Sequence, residues 1–510
     1  MTPPAWLRPL QVGCLLLPLL SAGCQAEPLP SLQWPVPSPP AVEAGQPRLW
    51  VALGARLGAT ASAPPLELRS AAGLLTLRDA SGQRWQAQQL TLRWQRLPRS
   101  QPLQIRRLVA GPFASFESAE RSADQWRQLG VPVTLAQPAE WEVWAPPGSP
   151  VPPGWSVRTV EQRHTAAVQP VLQQSGQGLQ RLVAPVLIEA PGGLRWQGGV
   201  YAGPFRLQGD AHGSWSLVEQ VPLERYLEGV LPHEIGAGSP PQALAAQAVL
   251  ARTWSLRNQH RYAADGYHLC VTTQCQVYSD PRQAGVPVRD AIGRTHGLVL
   301  SWQGQPIHAV YHASNGGVAA GLDEAWNAAP QPYLRPALDR LTAPADAAAL
   351  PQASELASLL RGTEGFVGAD HPRFRWSRWL DRQQIAQALA RQGLQLGQVQ
   401  RLVVLERGPS GRVTALAIEG SGGRTVLRLD AIRRTLRTLP STLFVLSQQG
   451  PGRWLLQGGG FGHGVGLSQA GAIDLGRRGW SFTRILERYY PGARLQPLPP
   501  PAPPALGGDP

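Results

Sequence analysis

The clearest pattern of hydrophobic and polar positions lies in residues 221–257. Four apolar residues recur there at helical spacing and form one stripe: Leu223, Tyr226, Leu227 and Val230. This spacing predicts a helix that buries one face. Pro222 can open the helix, because the first turn needs no N–H from that position. Pro232 disfavours helical backbone at the residue before it, so the helix should end near residue 231.

A second helix is predicted after Ser239-Pro240-Pro241-Gln242, a sequence typical of an N-cap serine followed by a proline at the first helical position. The body of this helix is rich in alanine, which permits close packing on several sides. Glu234 lies in the elbow between the two helices, near Gly236 and Gly238. Spacing alone favours an exposed loop glutamate. Partial burial would instead raise its pKa, as a general acid near neutral pH requires.

The region before these helices has the alternating pattern of β-strands, and we expect a smaller α+β domain over residues 48–150. Residues 108–113 predict a strand that ends in a Gly-Pro turn. The segment ASFESAERSADQWRQLG then predicts a helix, and VPVTLA predicts the next strand. A generic α+β subdomain explains this order as well as a specific binding module does.

Both ends of the chain differ in composition from the middle. An apolar run at 12–20 follows Arg8, which is typical of a signal peptide over residues 1–26, and the run is too short to span a bilayer. Two cleavage schemes are open: Cys24 becomes a lipidated first residue, or cleavage after Ala26 releases an unanchored protein. Export to the periplasm or cell envelope is expected in both. The proline-rich residues 27–47 and 498–510 predict a linker and a disordered tail.

Charge narrows the range of partners. The chain has 510 residues and a net charge of +14, and all 47 of its basic residues are arginine. A positive balance favours anionic partners such as cell-wall polymers or lipid headgroups. The arginines are spread along the chain without a nucleic-acid-binding motif, so we expect no nucleic-acid partner.

Two cysteines remain beyond the predicted signal peptide. Cys270 and Cys275 lie five positions apart, and His268 precedes them. In an exported protein the cysteines can form a disulfide. The same three residues also offer a ligand set suited to Zn²⁺. Both alternatives stay open from the residues alone, and both are structural rather than catalytic.

Several longer motifs carry a family resemblance. PLERYLEGVLPHEI and ALAAQAVLARTW are followed by CQVYSD at 275–280, AVYHASNGG at 309–317 and GGGFGHGVGLSQAGAIDLGRRGWSF from 458. In this order they resemble the stage II sporulation protein D/LytB amidase-enhancer (SpoIID) family over residues 190–497. The segment at 104–145 resembles one SPOR repeat, a module that binds peptidoglycan glycan strands without stem peptides.

The resemblance implies an α+β fold whose mixed-sheet catalytic domain carries a substrate groove, with the smaller domain before it. It implies a lytic transglycosylase that cleaves denuded glycan strands between N-acetylmuramic acid (MurNAc) and N-acetylglucosamine (GlcNAc). The alternative is a non-enzymatic peptidoglycan-binding protein that stimulates an N-acetylmuramoyl-L-alanine amidase. A lipidated Cys24 would add a membrane anchor.

The same resemblance assigns site residues. Glu234 matches the catalytic general acid/base. Gln247 and Arg252 match residues expected to hold Glu234 or the sugar. Further groove residues are expected in the two later motifs: Tyr311, His312, Ser314, Gly462, His463, Gly464, Ser468 and Gln469. Some members bind zinc near the matching cysteines, which extends a structural zinc site to His268, Cys270 and Cys275.

Overall fold

The computed structural model describes residues 31–498, except 44, 46, 174–177, 342–349 and 351. The predicted signal peptide with Cys24, and nearly all of the predicted tail, lie outside these residues. Within the described residues the α-helices are α1 (Phe116–Gln128), α2 (Leu223–Leu231), α3 (Pro241–Arg257), α4 (Val286–Arg294), α5 (Leu356–Leu359), α6 (Arg382–Ala390), α7 (Asp430–Thr435), α8 (Gln469–Arg477) and α9 (Phe482–Tyr489).

The strands fall into two groups along the chain. The first group is β1 (Arg48–Leu57), β2 (Leu66–Ser70), β3 (Leu75–Arg78), β4 (Arg84–Ala87), β5 (Gln89–Phe113), β6 (Thr134–Ala136), β7 (Trp141–Ala145), β8 (Val157–Gln173), β9 (Gln180–Arg181), β10 (Val186–Glu189), β11 (Leu194–Trp196), β12 (Gly199–Tyr201), β13 (Phe205–Gly209) and β14 (Trp215–Pro222). The second group is β15 (Leu269–Cys270), β16 (Leu298–Trp302), β17 (Gln305–Pro306), β18 (Tyr311–His312), β19 (Val318–Ala319), β20 (Ala337–Leu338), β21 (Arg375–Asp381), β22 (Val399–Arg407), β23 (Val413–Gly420), β24 (Gly423–Arg428), β25 (Phe444–Gln448), β26 (Arg453–Gly459), β27 (Leu467–Ser468) and β28 (Arg494–Pro497).

Two large sheets dominate the first half of the chain. One has the order β15-β1-β14-β13-β10-β3-β4, and the other has the order β12-β11-β2-β5-β7-β6, with β8 also paired to β5. Small two- and three-stranded sheets follow in the second half, among them β21-β26-β25 and β22-β23-β24. Strands and helices are thus mixed along the chain, and the α+β fold class is confirmed.

The boundary predicted at residue 150 does not follow the sheets. β1 pairs antiparallel with β14 and parallel with β15, and β3 pairs with β10. The first strands are therefore built into the same sheet as the segment that leads into α2. Alternating burial revealed these strands in the sequence, but pairing across more than 150 residues leaves no local signal.

The first residues described before β1 lie along this sheet region. The backbone of Ser31 exchanges hydrogen bonds with Gln104 and Arg106, with N···O distances of 2.9 and 3.0 Å. His268 donates from Nε2 to the carbonyl of Pro40 across 2.9 Å. The described part of the predicted linker is therefore held against the sheets by backbone contacts.

The core continues from these sheets into the helices. α2 ends at Leu231, as predicted, and its apolar stripe is buried: Leu223, Tyr226, Leu227 and Val230. Nearly all of α3 is buried as well, because its alanines allow neighbours to approach on every side. The N-cap of α3 is Pro240, so the N-cap predicted at Ser239 was wrong by one residue.

The segment that resembles a SPOR repeat has the predicted strand–helix–strand order, in β5, α1, β6 and β7. The indole of Trp126 on α1 is fully buried in a hydrophobic cluster with Trp141 and Val143, to which Trp50 of β1 and Val218 of β14 also belong. The likeness to a SPOR repeat itself stays a prediction. No helix among the described residues is long and apolar enough to cross a membrane.

Candidate active site

The elbow between α2 and α3 is one wide π-helical turn, Pro232–Gly236. Pro232 keeps helical dihedral angles, so the chain widens its turn there instead of leaving the helix. The hydroxyl of Ser239 donates to the carbonyl of Ile235 across 2.7 Å and closes the elbow. This turn presents the half-buried side chain of Glu234 to a cavity of about 430 Å³.

The carboxyl of Glu234 has an environment suited to an acid. Burial raises the pKa of Glu234, while the backbone N–H of Val277 and the hydroxyl of Tyr311 lower it by hydrogen bonding. The N–H of Val277 donates to Oε1 across 3.0 Å. Burial outweighs the two hydrogen bonds together, and the net shift of the pKa is upward. The exposed loop glutamate that spacing alone favours is therefore not what the structure contains.

Five of the predicted catalytic and substrate-binding residues line this cavity: Glu234, Tyr311, His312, Gly462 and His463. Cys275, predicted as a zinc ligand or disulfide partner, lines it as well. Six further lining residues were not among the predicted site residues: Ser115, Glu117, Trp254, Arg261, Trp326 and Arg433. β18 carries Tyr311 and His312 and pairs in parallel with β27, which directly follows the segment that carries Gly462 and His463. Gly462 has a φ of +120°, and a Cβ there would lie 2.6 Å from the Cβ of His312, so this close approach requires glycine.

A chain of hydrogen bonds leads from the core to Glu234. The buried amide of Gln276 accepts hydrogen bonds from Tyr226 (3.3 Å) and Ser255 (2.9 Å) at its oxygen. Its Nε2 donates to the hydroxyl oxygen of Tyr311 across 2.9 Å. Burial, then the nearby Glu234 carboxylate, raises the pKa of Tyr311. Tyr311 is therefore a protonated donor at neutral pH, and its proton is available to Glu234.

The two histidines of the cavity are held neutral. Nε2 of His463 donates to the carbonyl of Tyr311 across 2.9 Å, and its Nδ1 accepts from the N–H of Val465 across 3.1 Å. Burial, then the charge of Arg433, lowers the pKa of His463 to about 3. Burial also lowers the pKa of His312, whose Nδ1 donates to the carbonyl of Val465. Both rings are therefore neutral near neutral pH.

Arg252 and Gln247 do not line the cavity. The guanidinium of Arg252 is fully buried and binds Glu224 in a bidentate pair, with N···O distances of 2.8 and 2.6 Å. It also donates to the carbonyl of Leu298. Gln247 accepts from Gln469 across 3.3 Å. Arg252 therefore ties α3 to α2, and Gln247 ties α3 to α8, so both support the elbow through the helices.

The remaining predicted residues make structural contacts next to the cavity. The hydroxyl of Ser468 caps α8 by accepting from the N–H of Gly471. Ser314 exchanges backbone hydrogen bonds with Phe461, at 2.7 and 3.1 Å. Gly464 packs directly against the guanidinium of Arg412. These residues shape the wall formed by the glycine-rich segment without lining the cavity.

The cysteine pair is joined. Cys270 and Cys275 form a disulfide with a Cα–Cα distance of 5.7 Å. Both ring nitrogens of His268 are engaged elsewhere: Nδ1 accepts from the N–H of Trp50, and Nε2 donates to Pro40. A zinc ion needs thiolates and a free imidazole lone pair, so this arrangement does not fit one. Among the described residues, no group of three or more His, Cys, Asp or Glu is arranged for a metal ion.

Residues upstream of β8 contribute to the cavity wall. Glu117 on α1 lines the cavity and binds the buried guanidinium of Arg261, with an N···O distance of 2.5 Å. That guanidinium also lies over the ring of Phe116, 4.2 Å from its centroid. Sequence reasoning missed these contributions and that of Arg433, because nothing distinguishes these arginines among 47. Gln276 lies inside a motif noted in the sequence, so its importance had a visible signal.

Comparisons with known proteins place similarity over the part of the chain that contains this site. Residues 211–302, which contain Glu234, match the family model described as "Stage II sporulation protein", and residues 320–466 match one described as "Domain of unknown function (DUF8618)".

Stage II sporulation protein D of Bacillus amyloliquefaciens is 29% identical over 294 residues, which cover 54% of this chain and 75% of that protein. The protein of the same name from Bacillus subtilis (strain 168) is 27% identical over 293 residues, with the same coverage. The amidase enhancer of Bacillus subtilis (strain 168) is 27% identical over 305 residues, covering 53% of this chain and 40% of that protein. Together, the model match and these relatives support the similarity of this chain to the SpoIID family.

Proposed function

We propose that the chain is a lytic transglycosylase that cleaves denuded peptidoglycan glycan strands between MurNAc and GlcNAc. The observation that carries the proposal is the position of Glu234, a half-buried carboxyl with a raised pKa at the wall of the cavity. A raised pKa favours the protonated form that a general acid needs.

The reaction balances with one carboxyl. Glu234 gives its proton to the glycosidic oxygen as the bond from that oxygen to C1 of MurNAc breaks. The carboxylate then accepts the proton of the C6 hydroxyl as O6 bonds to C1 and closes the 1,6-anhydro ring. No water is consumed, and Glu234 ends protonated. Tyr311, whose proton is available to the carboxylate, stabilises the ionised state between the two steps.

The composition of the cavity wall favours this chemistry over two-carboxylate hydrolysis, which needs two opposed acids. Among the described residues that line the cavity, the other carboxylate is Glu117, and its partner is Arg261. Glu117 is therefore neutralised by an ion pair and is not a free base for activating water.

A second candidate is a non-enzymatic role, in which the chain binds peptidoglycan and stimulates a separate amidase. The observation that favours it is the 27% identity to the amidase enhancer. Both candidates use the same groove. Both also place the protein in the cell envelope, exported with or without a lipid anchor at Cys24.

The deciding experiment compares pure wild-type protein with Glu234→Gln on amidase-stripped glycan strands, with products identified by mass spectrometry. The wild type should release strands ending in 1,6-anhydro-MurNAc. Glu234→Gln keeps the size of the side chain but cannot deliver a proton, so turnover should fall by about two to four orders of magnitude. Glu228→Gln, on α2 outside the cavity lining, is the control.

Equal cleavage by wild type and Glu234→Gln would refute the assignment of Glu234. If neither protein cleaves strands but both accelerate an added amidase, the second candidate is correct.

A further inference from the structure

One cation of the cavity has no partner. Arg433 on α7 lines the same cavity as Glu234, and its guanidinium makes no hydrogen bond or ion pair with any residue in the described part of the chain. Its Nε is buried without an acceptor. A guanidinium nitrogen that is removed from water without an acceptor costs free energy, whereas a guanidinium that binds a carboxylate forms two charge-assisted hydrogen bonds. The unpaired guanidinium of Arg433 is therefore positioned to bind an anionic ligand in the cavity.

The residues around Arg433 do not compensate its positive charge. Arg261 is neutralised by Glu117, and the pKa values of His463 and His312 are lowered, so both rings are neutral. When Glu234 carries the proton that it must donate, Arg433 is the one uncompensated charge among the described residues of the lining. A ligand that brings one negative charge next to the reacting bond would balance it.

Neighbouring contacts hold Arg433 in place. On one side, Asp430 accepts hydrogen bonds from the hydroxyls of Ser115 and Ser118, the latter across 3.0 Å. On the other side, Arg434 forms a bidentate pair with Glu140. α7 is thus fastened to the upstream region on both sides of Arg433. This fixes the position of the guanidinium before a ligand arrives and lowers the entropic cost of binding.

Denuded glycan carries a suitable anion. Removal of the stem peptide converts the lactyl amide on O3 of each MurNAc into a free carboxylate, on the same ring whose C1 bond would be cleaved. We propose that Arg433 binds this lactyl carboxylate and thereby selects strands without stem peptides. This inference rests on the proposed function, because it places MurNAc in the groove beside Glu234.

The test measures binding by the full chain in a Glu234→Gln background, so that no turnover intervenes. The ligands are a MurNAc–GlcNAc tetrasaccharide with free lactyl carboxylates and the same sugar with each carboxylate converted to the methylamide. Arg433 should favour the carboxylate ligand about ten- to a hundredfold, as expected for a charge-assisted bidentate contact. Adding Arg433→Gln should remove that preference and leave methylamide binding within about twofold. Arg437→Gln, an exposed arginine just beyond α7, is the matched control.

If Arg433→Gln lowers the affinity for both ligands equally, the inference is wrong. It is also wrong if the protein that keeps Arg433 binds the two ligands with equal affinity. The second comparison needs no change at Arg433, so misfolding of the variant cannot obscure it. A third ligand, the tetrasaccharide with L-Ala-D-Glu on each lactyl group, carries its carboxylates on the peptide. If it binds as tightly as the free carboxylate ligand, the lactyl assignment is wrong.

Failure of the proposed function gives a different result. If wild type releases no anhydro product yet Arg433 still discriminates between the ligands, the transglycosylase proposal fails and the binding assignment holds. If anhydro product forms without discrimination, only the assignment of Arg433 fails.

Discussion

The amide nitrogen of Gln276 donates a hydrogen bond to the hydroxyl oxygen of Tyr311 across 2.9 Å. Because the amide oxygen of Gln276 is engaged by Tyr226 and Ser255, the orientation of the amide is determined by its surroundings. The Tyr311 oxygen therefore acts as an acceptor toward Gln276, and its proton is left for Glu234. A buried residue that does not line the cavity thus controls which hydrogen bond reaches the acid.

Tyr311→Phe should move the pH dependence of turnover. The acid step needs protonated Glu234, so the rate falls as pH rises through its pKa. The Tyr311 hydroxyl lowers that pKa, and its removal should raise the pKa and shift the alkaline limb of the kcat profile to higher pH. Tyr333→Phe is the control, since its hydroxyl contacts the backbone of His308. A limb that stays in place or moves to lower pH would contradict the role given to Tyr311.

Gln276→Met should act through Tyr311. Methionine fills similar space but cannot donate a hydrogen bond to the Tyr311 oxygen. The Tyr311 hydroxyl is then no longer held in the orientation that directs its proton to Glu234. We expect kcat to fall about tenfold with KM nearly unchanged, as for a lost hydrogen bond of about 1–1.5 kcal/mol. In a double-mutant cycle, the variant that also carries Tyr311→Phe should be little slower than the slower single variant. Fully additive effects would show that Gln276 does not position Tyr311.

How far the sequence predicts this site depends on the range of each interaction. Glu234 and the end of α2 could be predicted, because proline and helical spacing act within a few residues. The role of Arg252 could not, since its partner Glu224 lies one helix away and the motif does not show which group it binds. Arg433 lies at the cavity because α7 is held against the upstream region by contacts such as that of Arg434 with Glu140, nearly 300 residues away in sequence. Such distant pairing has no local pattern.

Arg252→Met should destabilise the fold more than it impairs chemistry. The change leaves the Glu224 carboxylate without its bidentate partner in a largely buried position, which costs about 3 kcal/mol when one member of a buried pair is removed. Arg225→Gln is the control, because its pair with Glu228 lies within one turn at the surface and contributes about 0.5 kcal/mol or less. Urea unfolding at neutral pH gives both values. Similar losses for the two variants would refute a structural role for the Arg252–Glu224 pair.

The cysteines offer a test between the two alternatives that the sequence leaves open. With Cys14 and Cys24 replaced by serine, the denatured protein should show no alkylatable thiol before reduction and two after it, because Cys270 and Cys275 are joined. Elemental analysis of protein purified without chelator should find no stoichiometric zinc, since disulfide sulfur is not a thiolate ligand and both nitrogens of His268 are engaged. About one zinc per chain together with two free thiols would establish the zinc site instead. In that case His268 would have to release Trp50 and Pro40, and His268→Ala should abolish metal binding.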